Sequence, residues 1–327
     1  MITVAKLRRK PHQFRSLTGL TVIEFDKLFV EFAPAYETAR LSRRCLAGRK
    51  REAGAGHPFA LPVTERLLMA LIYFRLYVSQ SLLSLLFDVD QSTVSREVFE
   101  RVLPVLSGIL PVPLRDTPLG HWAKTLPEDA RAFPVPVRPG KRITTLKELF
   151  EAFPEMEEVL LDATEQPRPQ PEEKHKRKQV YSGKQHDHTV KTQIVASKTH
   201  ILHVCGGLPG SVHDVTVLGG SGVLLSVPPQ VKVRLDRGYQ GCDKGKGKPD
   251  VQSPVRNVRG HRVTAFGKAY NHLLSVFRIP VEHHFARLKR FRIMADIYRS
   301  DTAHHENVFC VIAGLLNFQA GGACPLR

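Results

Sequence analysis

Residues 157–164, EEVLLDAT, decide how the fold is read: three consecutive apolar residues, Val159 to Leu161, lead directly into the carboxylate of Asp162. A short apolar run of this kind is a buried strand, and Asp162 reads as its end. Downstream, TVKTQIVAS (189–197) alternates and is rich in β-branched residues, and HILHVCGGL (200–208) is the next strand, so the three form a meander. SVHDVTVLGGSG (211–222) reads as a short helix, and QVKVRLD (230–236) as a further apolar strand ending on Asp236. After a long mixed segment, VEHHFARLKRF (281–291) has helical spacing and HENVFCVIAGLLNFQ (305–319) is a core helix. Three strands, a helix, a strand and then helices describe a mixed α/β sheet flanked by helices.

Upstream of the sheet the pattern is helical. In 21–33, Val22, Phe25, Leu28, Phe29 and Phe32 recur at helical spacing, and Thr21 with Glu24 makes a capping box. Residues 40–57 are basic and glycine-rich and read as a loop. VTERLLMALIYFRLY opens a compact helical unit over 63–107, with Thr64 near its start. SQSLLSLLF follows, then a polar break at Asp88-Val89-Asp90, then QSTVSREVFERVLPVL, ended by Pro104 and Gly108. Residues 111–140 hold seven prolines and read as a surface linker, with a short helix expected at 144–152. The expected organisation is a helical region over 1–110, a linker and short helix over 111–155, and the mixed-sheet domain over 156–320.

The 327 residues carry 48 Lys and Arg against 31 Asp and Glu, a net charge of +17, which favours a polyanionic partner over a small neutral substrate. A ribosome- or membrane-associated basic protein is the other reading of charge alone. Five scattered cysteines with no C-x-x-C pair argue against a zinc site or a disulfide framework and suit a reducing compartment. The longest apolar run, Val308 to Leu316, is far short of a membrane span, and no apolar signal core follows the basic N-terminus. The expectation is a cytosolic protein with access to DNA.

Two constellations carry chemistry. The first is the helix–turn–helix at 81–103, whose second helix would offer Gln91, Ser92, Thr93, Ser95 and Arg96 to base edges in the major groove while Val94 and Val98 face the core. An ordinary helical hairpin shares the pattern. The second is an acidic trio: Asp162 and Asp236 at strand ends, and Glu282 just after Pro280, read as the first turn of a helix. Hard carboxylate oxygens suit Mg²⁺, and two such ions clamp the attacking and leaving oxygens of a phosphoryl displacement. Asp214, at the start of the short helix, is an alternative second ligand, although capping also explains it. The run EEKHKRKQVYSGKQHDHTVK, expected on the loop and strand after Asp162, offers Lys174, Lys176, Arg177, Lys178 and Lys184 to phosphates. On the last helix Glu282, Phe285, Ala286 and Lys289 fall on one face, and Arg287 lies off that line. The pairs His186/His188, His283/His284 and His304/His305 read as core, surface or phosphate-contacting residues, because helical neighbours diverge by about 100°.

In order, LLDATEQP, YSGKQHDHTVKTQIV, GSVHDVTVL, LDRGYQG and VEHHFARLKRF resemble the catalytic region of insertion-sequence DDE transposases related to the eukaryotic Harbinger elements. The STVSR helix–turn–helix resembles the N-terminal module of the same family, so the resemblance spans about residues 60–320. It implies an RNase H-like fold, two Mg²⁺ ions (Mn²⁺ substituting) on Asp162, Asp236 and Glu282, cleavage at transposon ends, and joining of the freed 3′-hydroxyl to target DNA. It also implies DNA-contacting cations at Arg278 and Lys289, and a homodimer or larger assembly on double-stranded DNA. Localisation follows the host, cytoplasmic and nucleoid-associated in a bacterium or nuclear in a eukaryote. Two departures stand out: the usual Asp-Gly-Thr reads Asp162-Ala163-Thr164, and the tyrosine expected before the arginine is Ser275. The competing functions are a catalytically silent DNA-binding descendant and a nuclease without strand transfer.

Overall fold

Apolar residues at helical spacing build the N-terminal part of the chain. It contains α1 (Val4–Arg8), α2 (Pro11–Thr18), α3 (Val22–Arg44), α4 (Val63–Leu76), α5 (Gln80–Phe87), α6 (Gln91–Ser95), a π-helical stretch (Arg96–Val102) and α7 (Leu103–Ile109). The computed structural model describes residues 1–44, 61–115, 143–239, 241–242, 249–257, 262–321 and 326. They fall into two units, one holding Met1–Leu110 and Lys289–Asp296, the other the remaining described residues.

In the first unit the capping box forms as read: the Thr21 amide donates to Glu24 Oε2 at 2.7 Å, and the Glu24 amide to Thr21 Oγ1 at 3.2 Å. The loop reading of 40–57 is corrected at its start, because α3 runs on to Arg44. Along this extension Arg40 pairs with Glu37 at 2.6 Å, and the Thr38 and Ser42 hydroxyls donate to carbonyls one turn back. Residues 45–57 lie outside the described ones. Helix α4 is buried on nearly all sides, with Leu67, Leu68, Met69, Ala70, Leu71 and Phe74 fully enclosed, as a helix apolar all round must be.

The helix that begins at Gln91 does not stop at Pro104; its path continues through the π-helical stretch to Ile109. A proline lacks an N–H and crowds the carbonyl one turn back. A widened turn immediately before it, within one continuous helical path, accommodates both. Glu97 is fully buried in this stretch, held by Arg66, by Arg101 and by the Tyr36 hydroxyl at 2.8 Å. Burial and that carboxylate push the Tyr36 hydroxyl up to about 12.

The second unit opens with β1 (Leu114–Arg115), which pairs parallel with a later strand, so the start of the expected linker belongs to the sheet. The rest of the linker, 116–142, lies outside the described residues. Then come α8 (Leu146–Ala152), β2 (Glu158–Pro167), α9 (Lys174–Val180), β3 (Tyr181–Ser182), β4 (Asp187–Ala196), β5 (Ile201–Pro209), α10 (Asp214–Ser221), α11 (Val223–Ser226), β6 (Lys232–Leu235), β7 (Asp250–Gln252), α12 (Ala265–Leu288) and α13 (His305–Ala320).

The sheet order is β1-β5-β4-β2-β6-β7, with β3 paired to β4. Strands β2, β4 and β5 form the expected antiparallel meander, and β6 joins β2 in parallel. This is the mixed, RNase H-like arrangement. Because side chains alternate along β2, Leu161 and Ala163 enter the core with Leu149, Leu218 and Val223 from α8, α10 and α11. Asp162 and Gln166 point to the other face, which carries α12 and α13. No helix among the described residues is long and apolar enough to cross a membrane.

Candidate active site and DNA-reading helix

Asp162 sits in mid-strand, since β2 continues five residues beyond it to Pro167. The sequence reading of a strand end holds on one side only. On the β4 side pairing runs on to Pro167↔Thr189, whereas on the β6 side it stops at Leu161↔Leu235. The next residues on the two parallel strands are Asp162 and Asp236, so the point where β6 ends sets two carboxylates side by side.

Arg278, on α12, joins them. Its guanidinium lies 2.7 Å from Asp236 Oδ1 and 3.5 Å from Asp162 Oδ2. The Ala163 amide donates to Asp162 Oδ1 at 2.8 Å. Burial raises the Asp162 carboxyl to about 6, the Asp236 charge adding to it while the Ala163 amide, Arg278 and Lys184 pull it back. Two carboxylates that already hold a cation between them have the hard, anionic donor chemistry that Mg²⁺ requires. The two aspartates therefore fit the implied metal.

Glu282 stands differently from its sequence reading. Pro280 lies inside α12, which begins at Ala265, so Glu282 is in the last turns of a long helix and not the first turn of a short one. It is exposed and lies four residues, one turn, beyond Arg278. Among the described residues no three of His, Cys, Asp and Glu are gathered closely enough to hold a metal ion. The expected shared face from Glu282 to Lys289 is also corrected. Helix α12 ends at Leu288, and Lys289 is exposed and belongs to the first unit. Arg287 turns inward and donates to the Leu316 carbonyl of α13 at 3.3 Å.

The cationic run is helical where a loop and strand were expected. Lys174, Lys176 and Lys178 are exposed on α9; Lys176 pairs with Glu173 at 2.5 Å, and Arg177 donates to the Pro171 and Glu172 carbonyls. Lys184 is exposed in the turn between β3 and β4. Of the histidines, His284 Nε2 lies 3.0 Å from the Ser197 carbonyl and His305 Nε2 2.9 Å from Gln166 Oε1, while His186 occupies a turn with φ of 55°.

Sequence reasoning missed a buried cation. Lys191 projects from β4 on the core face, with Nζ 2.7 Å from Asp214 Oδ1, 3.4 Å from Glu165 Oε1 and 2.6 Å from the Val212 carbonyl. Lys191 and Glu165 side chains are each 5% exposed and Asp214 14%. Asp214 is therefore an ion-pair partner and not a helix cap; the cap position is His213 and makes no side-chain hydrogen bond. A Cβ on Gly238 would lie 2.7 Å from Asp214 Oδ2, so the turn after Asp236 presses against this carboxylate. Tyr239 in that turn is buried, its hydroxyl has no hydrogen-bond partner among the described residues, and burial with the charges of Asp214, Asp162 and Asp236 drives its pKa well up. The signal available in sequence was a lysine at an inward position of a strand rich in β-branched residues.

In the first unit α5, a turn with Asp88 at φ 56°, and α6 form the helix–turn–helix. Val94 and Val98 are fully buried, as read. Gln91, Ser92 and Arg96 are exposed, and Thr93 and Ser95 half-buried. Arg96 folds back on Ser92, its Nε donating to the carbonyl at 3.2 Å and its Nη2 to the hydroxyl at 3.4 Å.

Comparison with known proteins gives matches over both parts of the chain. Residues 161–317 match the family described as DDE superfamily endonuclease, and 59–111 match the helix-turn-helix of DDE superfamily endonuclease. The chain is 30% identical over 274 residues to the "Probable transposase for insertion sequence element IS702" of Microchaete diplosiphon, covering 84% of this chain and 86% of the relative. This chain belongs to the DDE superfamily of endonucleases. As a DDE protein it joins a helix-turn-helix to an endonuclease domain; the endonuclease match lies in the second unit apart from Lys289–Asp296, which belong to the first.

Proposed function

We propose that this DDE protein is a DNA transposase that cuts at the ends of its element and transfers the freed 3′-hydroxyl into target DNA. The observation that carries the proposal is the pair Asp162 and Asp236, set side by side where β6 ends and sharing the Arg278 guanidinium. In this reading Asp162 and Asp236, with Glu282 as third donor, hold two Mg²⁺ ions, Mn²⁺ substituting. When bound, those ions supply Lewis-acid activation of the attacking and leaving oxygens of an in-line phosphoryl displacement. Arg278 offsets part of the charge of the aspartate pair, and with a metal on those carboxylates its guanidinium would be free to meet a DNA phosphate.

The helical region 1–110 acts as the DNA-binding domain. Gln91, Ser92, Thr93, Ser95 and Arg96 read the element end, Arg96 leaving Ser92 to reach a base. Residues 156–320 act as the catalytic domain, joined through 111–155. Lys174, Lys178 and Lys184 follow the backbone of the cut strand, with Lys176, Arg177, Arg287 and Lys289 in supporting positions. Two element ends are held together, so the working form is a homodimer or larger on DNA. The place of action is wherever the element's DNA lies, the nucleoid of a bacterium or the nucleus of a eukaryote.

The test is incubation of the full chain with linear DNA carrying its element's own ends, in Mg²⁺ and in EDTA. Metal-dependent nicks at the ends followed by joined products are expected. Tight binding without cleavage in Mg²⁺ or Mn²⁺ would overturn the catalytic reading in favour of a silent DNA-binding descendant, and nicks without joining would make the protein a nuclease.

A further inference from the structure

The aspartate pair is not the whole of the site. Beside Asp236 a cavity of about 850 Å³ opens, lined from the core face of the sheet by Glu165, Lys191 and Asp214 and from α12 by Lys268 and Asn271. Its volume is in the range of pockets that enclose small organic ligands. Its lining is stratified by charge. Glu165, Lys191 and Asp214 contribute to it as the buried cluster described above, two carboxylates around one ammonium, so that part of the wall has an excess of acceptors. The exposed cations Lys184, Arg256 and Lys268 also line it, and none of them forms an ion pair with a described carboxylate. Apolar wall comes from Val212, Val255 and Val263.

We propose that this cavity receives one unpaired nucleotide of the DNA strand being cut, base inward and phosphates against the exposed cations. The inference rests on the transposase reading and extends it to the state of the substrate. A base stacked within a duplex is held between its neighbours, whereas one swung out of the stack can enter a cavity of about 850 Å³. A phosphate is repelled from a buried carboxylate-rich wall and attracted by Lys184, Arg256 and Lys268, which orients the nucleotide. Buried acceptors favour a base with an exocyclic amino group, which adenine has and thymine lacks. Asp236 belongs to both the cavity and the aspartate pair, so an occupant lies next to the phosphate under attack.

The test compares full-length protein binding to two synthetic duplexes, both carrying its element's end, in EDTA by fluorescence anisotropy. One is fully paired; the other carries a single unpaired deoxyadenosine beside a nick. Because the unpaired probe has already met the cost of leaving the stack, it is expected to bind at least about tenfold more tightly. Unpaired thymidine gains less than adenosine. Combined Arg256→Ala and Lys268→Ala substitutions, both at exposed positions, bring the ratio of the two affinities near one, while Arg96→Ala weakens both probes alike and leaves the ratio standing. Equal affinities in the unaltered protein, or a preference that survives the Arg256/Lys268 double substitution, overturn the assignment. Metal-dependent nicking at element ends without such a preference removes the cavity proposal and leaves the transposase reading in place; failure to bind either duplex removes both.

Discussion

Replacing Lys191 with methionine leaves Glu165 and Asp214 side chains 5% and 14% exposed without the ammonium they share. Methionine matches the length of the lysine stem, so the change is chiefly one of charge. Stranding buried charge by removing its partner costs about 3–5 kcal/mol. For a unit of this size each kcal/mol moves the melting temperature by about 2–4 °C, so a fall of about 6–20 °C is expected in differential scanning calorimetry. A charge-free version, Glu165→Gln, Lys191→Met and Asp214→Asn together, should recover at least half of the loss, since buried ion pairs replaced as a set often cost little. Cleavage should fall in the single variant beyond what folding explains, because Asp214 presses on the turn at Gly238 that follows Asp236. A Lys191→Met protein within about 1 kcal/mol of the parent would refute the account, since it would mean that the cluster is solvated.

Asp236→Ala should abolish metal-dependent cleavage while leaving DNA binding nearly intact; retained cleavage would move the second ligand to Asp214. Arg96→Ala should weaken specific end binding by about 1–3 kcal/mol if the side chain reads a base, and unchanged affinity and specificity in a gel-shift titration would count against α6 as the reading helix. Burial raises the Asp162 carboxyl to about 6, so the folded chain holds a proton that the unfolded chain gives up near its ordinary value. Stability should therefore decline as pH rises from about 4 to about 6, by about 3 kcal/mol at ~1.4 kcal/mol per pKa unit, and then level off. Urea melts across that window should show the decline in the parent and lose it in Asp162→Asn; the same slope in both would reject burial as its cause. Divalent-cation affinity, which needs the ionised carboxylate, should climb through the same window.

The sequence by itself determined most of the succession of elements and named the two aspartates that the fold sets side by side. Alternation in 189–197 and the apolar runs before Asp162 and Asp236 are local consequences of burial, so they name strands without reference to anything distant. The capping box at Thr21 and Glu24 is local in the same way, and so is the inward pair Val94 and Val98. Only the tertiary structure decided where β2 ends for each of its neighbours, since strand length is set by partner and not by propensity: β4 carries it to Pro167 while β6 abandons it at Leu161. The same holds for α12. Pro280 reads as a helix start in isolation, but packing of Leu274 and Val281 into the core carries the helix through it. Arg278 across two aspartates, Lys191 between Glu165 and Asp214, and the cavity that meets the site at Asp236 join residues far apart in the chain. Charge pairing at that range is a property of the folded sheet, because only its register brings the partners within a few ångströms.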